Sequence, residues 1–400
     1  MSDTPSVAWT NVSRTQVGII GAGPAGLLLA RLLERAGVDS VVVENRSREY
    51  VQARQRAGVV EHGVAELLRE AGVGARLDRL GLVHNGIYLQ FDGERHNVNF
   101  RELTGRTVTV YAQTEIVKDL IAARLAGGQP LEFEVSDTAV ADIETSPTLR
   151  YVDSAGEPRR LECDIIAGCD GFHGISRAAV PVRTEWQRDF PYAWLGILAD
   201  VAPSTDELIY ANHPNGFALH SLRSPTVSRL YLQVPQDETL DNWSHDRIWD
   251  ELSTRFALPG WTLHRGPITD VSITPMRVFV SSPMRHGRLF LAGDSAHIVP
   301  PTGAKGLNLA LADAALLATA ITAFIREGRT DLLDAYSTQR QRRVWRAVHF
   351  AVWMTEMLHT APDRDVMTAE LQLAQLRYVV SSRAMATSLA ENYAGLDSPR

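Results

Sequence analysis

The sequence predicts an α/β fold of mixed α+β character: a discontinuous Rossmann-like domain, an inserted, mainly antiparallel β-sheet domain, and C-terminal helices. Three observations predict it. A glycine-rich turn joins a β-branched run to a leucine-rich stretch near the N-terminus, further strand-to-glycine-turn segments recur near residues 161 and 288, and the chain between those two alternates like a separate sheet. Composition bounds the class. The 400 residues are 45% apolar and 22% charged, enough for a large core and too apolar for a disordered chain. Lys and Arg number 40 against 47 Asp and Glu, and the net charge of −7 argues against nucleic acid or an anionic membrane as partner. Cys163 and Cys169 are the two cysteines, so no disulfide framework is expected, and no His or Cys follows at a metal-ligand spacing. Residues 1–14 read as a disordered extension with no signal peptide, and the longest apolar stretch, residues 308–325, is interrupted by Asp313. The expectation is a soluble cytoplasmic protein with no metal and no membrane partner.

Residues 16–20, QVGII, form a strand-like run, followed by GAGPAG and the helically spaced LLLARLLERAG. Gly21 permits the tight turn, Gly23 lets a pyrophosphate approach the backbone, and Gly26 lets the helix pack close to the strand. Pro24 is pre-set for a first helical turn, and the helix N-terminus points free amides at the phosphates. After Gly37 a second strand, DSVVVE, ends in Glu44, whose carboxylate suits the hydroxyls of an adenosine ribose. A lone glycine turn is weak, but strand, helix, strand and terminal Glu in register predict a dinucleotide site.

That unit does not distinguish NAD from FAD. In CDIIAGCDGFHGISR a strand ends at Ala167 and its turn gathers Asp170, His173, Ser176 and Arg177. In RLFLAGDSAHIVPPTGAKGLNLA a strand closes at Gly293-Asp294, and a Pro/Gly loop leads into a helix from about Leu307. That helix N-terminus favours negative charge on a ligand, and Asp294 is placed for a ribityl hydroxyl. Taken singly, each segment reads equally well as a strand-to-helix connection with glycines for geometry alone.

GFALHSLR, SPTV and SRLYLQVP read as a hairpin between about residues 181 and 280. Ser221 and Arg223 share one face of its first strand, and Arg229 and Tyr231 share a face of its second. A guanidinium flanked by hydroxyls suits a carboxylate, yet from the pattern alone a solvated strand face with surface arginines stays open. By alternation His220 points away from Ser221. The basic run QRQRR at 339–343 opens a helix read as packed on one side and solvated on its basic side.

GAGPAG with Glu44, CDGFHGISR and GDSAHIVPPTGAKGLN resemble the three sequence blocks of the single-component flavoprotein aromatic hydroxylases. The likeness runs from about residue 15 to about residue 396, through RQRAGVVEHG, GLVHNG, TVTVYAQTE, ELIYANHPNGFAL, SRLYLQVP and ENYAGL. The resemblance implies FAD as cofactor. Its contacts would be Gly21, Gly23, Ala25, Gly26, Glu44, Arg54, Arg56, Gln113, Arg229 and Asp294, with Lys305, Gly306, Leu307 and Asn308 at the flavin's electron-rich edge. It implies NAD(P)H as co-substrate without a second Rossmann unit, met by Arg46, Tyr50, His173 and Arg277. Asn45 stands where NADPH-preferring members carry a basic residue, which leaves NADH against NADPH open.

The resemblance further implies an aromatic carboxylate substrate held by Ser221, Arg223 and Tyr231, with the Pro301 carbonyl beside its ring. Tyr210 would hydrogen-bond the substrate phenol, Tyr393 continue the proton chain, and His84 relay the proton to solvent. Alone, each tyrosine also reads as an amphipathic core residue. The implied reaction is hydroxylation of 4-hydroxybenzoate to 3,4-dihydroxybenzoate with O2, through a flavin C4a-hydroperoxide, by a homodimer. Such an electrophile attacks a phenolate far better than a phenol, so a phenol with a pKa of about 10 must be ionised by hydrogen bonds to its anion. Histidine titrates in the range needed to pass that proton on. Three alternatives stand beside it: a hydroxylase of a related benzoate such as 4-aminobenzoate, a flavin-dependent reductase, and a non-catalytic dinucleotide-binding module. The expected domains are FAD-binding residues 15–180, lending strands near 82–112 to the substrate sheet, substrate sheet 181–280, FAD-binding 281–325, and helices 326–400 at a dimer interface.

Overall fold

The computed structural model describes residues 11–55, 58–362 and 365–395. Arg56 and residues 1–10 of the expected extension lie outside the described residues. The β-branched runs at Asn11–Ile20, Ser40–Val43, Pro158–Gly168 and Leu289–Leu291 pair in parallel within one sheet. Parallel neighbours need a crossover, and the helix Pro24–Arg35 supplies one, burying Leu27, Leu28, Leu29 and Leu33. The nucleotide fold is thus assembled from separated pieces of chain, with ligand space expected at the carboxyl ends of its strands. Residues 11–14, read as part of the extension, belong instead to the first strand. Asn11–Thr15 pair with Arg159–Cys163, because the long partner strand offers backbone groups that only a longer first strand satisfies.

The second sheet runs His297–Ile298, Ile268–Ser282, Thr184–Ala199, Val227–Pro235, Ala218–Ser224, Leu208–Ala211, Gly86–Phe91, Glu94–Asn99. It is mainly antiparallel, with one parallel pairing between Leu208–Ala211 and Gly86–Phe91. It therefore borrows strands from both flanking segments and reaches past residue 280. Leu82–His84, Val59–Val60 and Val108–Val110 form a separate small sheet. Alternation sends Tyr210, Leu219 and Tyr231 to one face of the large sheet, and Ile209, Ala218 and Leu230 to the other. The second face is covered by the helix His245–Arg255 through Ile248, Trp249 and Leu252, an element the strand-like reading of this region did not foresee. The first face meets the C-terminal helices Asp331–Leu358, Val366–Ser381 and Arg383–Ala394.

The basic run at 339–343 is not wholly solvated. Arg340 is 3% exposed and donates to Asp313 Oδ1. Asp313 lies on the helix Gly306–Glu327, whose length and apolarity suit a membrane span but whose apolar window is 72% buried inside the protein. The other oxygen of Asp313 accepts from the Gly293 amide at 2.8 Å and from His297 Nε2 at 2.6 Å, so this carboxylate fixes the Gly293-Asp294 turn. Burial alone would push its pKa up, but Arg340, His297 and the Gly293 amide overcome that and hold it at about 2. Its stabilisation is therefore present above the ordinary carboxyl value of about 4 and lost as pH falls from there to about 2. Replacing Arg340 by Met strands a buried charge and should cost about 3 kcal/mol in urea unfolding. A loss below about 1 kcal/mol would contradict this assignment.

Candidate active site

The three cofactor blocks converge around the first glycine turn. Gly21 has φ +105°, and a Cβ there would lie 2.3 Å from the Cys169 carbonyl oxygen. A Cβ on Gly26 would lie 2.1 Å from the Gly21 oxygen, and one on Gly293 would lie 3.5 Å from the Ala25 Cβ. Gly23, the N-cap of the helix Pro24–Arg35, differs: a Cβ there meets nothing within 4 Å. The helix amides thus face open space, and Gly306 leaves similar space at the start of its own helix, where Leu307 follows. Open space in front of two positive helix ends fits the phosphates and electron-rich ring of FAD. Glu44 closes the cradle, accepting from the Ala22 amide at 2.8 Å and the Arg46 amide at 2.9 Å. Asp294 is exposed just beyond the strand Leu289–Leu291. Asp170 Oδ2 accepts from Ser176 N and Oγ, both at 2.9 Å, while Oδ1 is buried without a partner among the described residues.

Beside the cradle, Tyr210, Ser221, Arg223, Arg229, Tyr231 and Pro301 line one cavity. Ser221 lies directly opposite Arg229 in the hairpin register, and Leu219 opposite Tyr231. The hairpin face is therefore a pocket wall, and the solvated-face reading is set aside. Arg223 donates to Gln55 Oε1 at 2.9 Å and Thr114 Oγ1 at 2.8 Å, both neutral acceptors. Burial first, then the neighbouring Arg229, push its pKa below the usual guanidinium value. A half-buried cation hemmed in by another cation favours an anionic guest. His220 points to the opposite face as expected, packing on Phe256 at 6.3 Å and accepting from Ser204 N at 3.1 Å. Burial lowers its pKa to about 3, so it stays neutral and keeps charge out of the wall behind Ser221.

The hydroxyls of Tyr210 and Tyr393 are 2.6 Å apart, and each residue is 1% exposed. Burial pushes both phenols well above their ordinary pKa. His84 Nδ1 lies 2.7 Å from Glu207 Oε2, and its Nε2 is buried with no partner among the described residues. The Pro301 carbonyl accepts the Ala304 amide at 2.9 Å within a tight turn, leaving its second lone pair for a guest. Lys305, which the resemblance puts at the flavin's electron-rich edge, is held in a buried ion pair. Its ammonium donates to Glu61 Oε1 at 2.7 Å and to the Tyr393 carbonyl at 2.9 Å. Burial lowers its pKa, with Glu61 opposing. Asn308 holds the same corner, accepting from Glu61 N at 2.9 Å and donating to Val59 O at 3.0 Å.

Sequence reasoning missed Glu61 and Glu207, since neither belongs to a glycine motif and each partner lies more than a hundred residues away. Gln113 opens the helix Gln113–Ala126 next to Ala112, which lines the cavity. Arg54 is exposed beside Gln55, which holds Arg223. The nicotinamide candidates come together as two pairs. Arg46 stacks over Tyr50 at 5.3 Å, and Arg277 and His173 both contact Phe172, at 4.1 and 5.0 Å.

A discontinuous, mainly parallel sheet with an open glycine cradle, joined to a second sheet with a pocket lined by two arginines, defines a dinucleotide-binding protein with a separate small-molecule cavity. A family described as FAD binding domain matches residues 14–351, and the chain belongs to it. Along 388 residues it is 47% identical to p-hydroxybenzoate hydroxylase of Acinetobacter baylyi, covering 96% of each chain. It is 26% identical to a 3-(3-hydroxy-phenyl)propionate/3-hydroxycinnamic acid hydroxylase of a Mycobacterium species, over 92% of this chain and 66% of that one. Its fold matches p-nitrophenol 4-monooxygenase from Pseudomonas putida with a TM-score of 0.83 at 20% identity, covering 97% of this chain and 100% of that one. The mixed α/β fold and the FAD cofactor expected from the sequence are both borne out.

Gly23→Ala tests the cradle, because the added methyl enters ligand space and touches no protein atom. The apoprotein should keep its unfolding free energy within about 0.5 kcal/mol, while bound FAD is lost more readily on gel filtration. Wild-type FAD retention by this variant would place the pyrophosphate elsewhere.

Proposed function

We propose that the protein is an FAD- and NAD(P)H-dependent monooxygenase that hydroxylates 4-hydroxybenzoate ortho to its phenol, giving 3,4-dihydroxybenzoate. One observation carries the reading: a single cavity is lined by Arg223, whose hydrogen-bond partners are neutral, and by a buried tyrosine bonded to a second tyrosine. A carboxylate and a phenol on one ring answer those two features. The 47% identity to p-hydroxybenzoate hydroxylase supports the same substrate.

FAD, when bound, takes electrons from NAD(P)H and supplies activated oxygen to the ring. Arg223 clamps the carboxylate through parallel N–H donors, with the hydroxyls of Ser221 and Tyr231 on the same wall. Trp194, Leu219 and Val59 make the remaining wall apolar and keep bulk water from the ring. Tyr210 donates its hydroxyl proton toward the phenolate oxygen and so stabilises the anion, while the displaced proton passes to Tyr393. Because burial opposes ionisation of both tyrosines, they carry the proton without keeping the negative charge. Arg46, Tyr50, His173 and Arg277 are assigned to the nicotinamide coenzyme, and Gln113, Arg54 and Arg229 to the flavin. Met367, Leu371 and Tyr378 are 69, 59 and 56% exposed on one helix, which supports a homodimer through that face. Two free, buried cysteines support a cytoplasmic location.

The reading is tested by following NADH and NADPH oxidation by the holoenzyme with a panel of benzoates and identifying the product. 4-Hydroxybenzoate should accelerate oxidation and yield 3,4-dihydroxybenzoate; no acceleration and no catechol would overturn the proposal. Tyr210→Phe should bind substrate within about threefold of wild type but lose product yield by roughly a hundredfold, with the electrons recovered as hydrogen peroxide. An unchanged yield would remove Tyr210 from the proton path.

A further inference from the structure

We propose that Glu207 is the positioning residue of the proton relay: it fixes His84 as the Nδ1–H tautomer, so that the bare Nε2 receives the proton from the tyrosine pair. This rests on the proposed hydroxylase reading for its substrate. Glu207 is 9% exposed and stands immediately before the strand Leu208–Ala211 that carries Tyr210. Its two oxygens are spent on one corner of the small sheet, Oε2 on His84 Nδ1 at 2.7 Å and Oε1 on the Asn85 amide at 2.9 Å. An ionised carboxylate only accepts hydrogen bonds, so the ring nitrogen against it carries the proton and the other nitrogen presents a lone pair.

That other nitrogen is the unusual feature. His84 is fully buried, and its Nε2 has no partner among the described residues. A buried, unpaired acceptor is costly unless the site uses it. The corner also packs toward the tyrosine pair. Arg101 N donates to Asn85 O at 3.0 Å, and the adjoining Phe100 ring is 5.0 Å from the ring of Tyr393. Glu207 is near enough that its charge opposes ionisation of Tyr393. The carboxylate thus acts twice. It discourages Tyr393 from holding negative charge, and it pairs with the imidazolium formed when Nε2 takes the proton, until that same proton leaves to water. One proton leaves the substrate phenol and one reaches solvent, with no other change.

Nitrogen NMR of holoenzyme labelled in its histidines reports which ring nitrogen of His84 is protonated, with the signal assigned through His84→Asn. The wild type should show Nδ1–H, and Glu207→Ala should shift toward the other tautomer. In rapid mixing of 4-hydroxybenzoate with holoenzyme and a pH indicator, Glu207→Ala should slow proton release roughly tenfold or more, with affinity within about threefold. Glu207→Gln, which keeps the shape and removes the charge, should also slow release, and it serves if the alanine variant does not fold. An Nε2–H tautomer in the wild type, unchanged release in both variants, or affinity falling in step with release would overturn the assignment. If the wild type binds no 4-hydroxybenzoate, the substrate reading fails, and the tautomer of His84 still decides the role of Glu207.

Discussion

The 2.6 Å hydrogen bond between Tyr210 and Tyr393 joins residues 183 positions apart and brings three structural units to one buried point. Tyr210 comes from the inserted sheet and Tyr393 from the last helix, Arg383–Ala394. The Tyr393 carbonyl is bonded in turn to Lys305, at the N-cap of the helix Gly306–Glu327. A phenol pair so deeply buried cannot hold negative charge cheaply, so it is suited to move a proton and unsuited to store an anion. The rest of the architecture keeps this contact dry and aligned. A sheet supplies one tyrosine, a helix packed on that sheet supplies the other, and the cofactor domain braces both.

Charge is distributed with the same economy. The chain carries −7 overall, yet Arg223 lines the cavity and its hydrogen bonds go to the neutral acceptors Gln55 and Thr114. Lys305, by contrast, is neutralised by Glu61. Positive charge is concentrated where a substrate carboxylate would lie. At the start of the helix Gly306–Glu327 the N-terminus contributes its partial charge beside a balanced ion pair.

Features governed by local backbone geometry were legible in the sequence. Gly21 and Gly26 sit where a Cβ would strike backbone within 2.3 Å, a constraint that any chain of this fold must meet and that a motif therefore records. The sharing of faces along the hairpin was legible because a strand alternates with period two, which put Ser221 and Arg223 on one face and sent His220 to the other, while the pattern left open whether that face was solvated or a pocket wall. What failed to show were pairings across the fold. Glu61 with Lys305, Glu207 with His84 and Arg340 with Asp313 are each made by folding, and Arg340 looked like one more surface charge in a basic run. The helix His245–Arg255 escaped notice because its apolar residues, Ile248, Trp249 and Leu252, are few and lie among short strand-like runs. The parallel pairing of Leu208–Ala211 with Gly86–Phe91 likewise has no local signature.

If the cavity ionises its guest, an ultraviolet difference titration of 4-hydroxybenzoate bound to the holoenzyme reads it directly, as the phenol-to-phenolate change across pH. Phenolate should appear near neutrality, several units below the ordinary phenol value of about 10. A bound ligand that titrates together with the free one would contradict it.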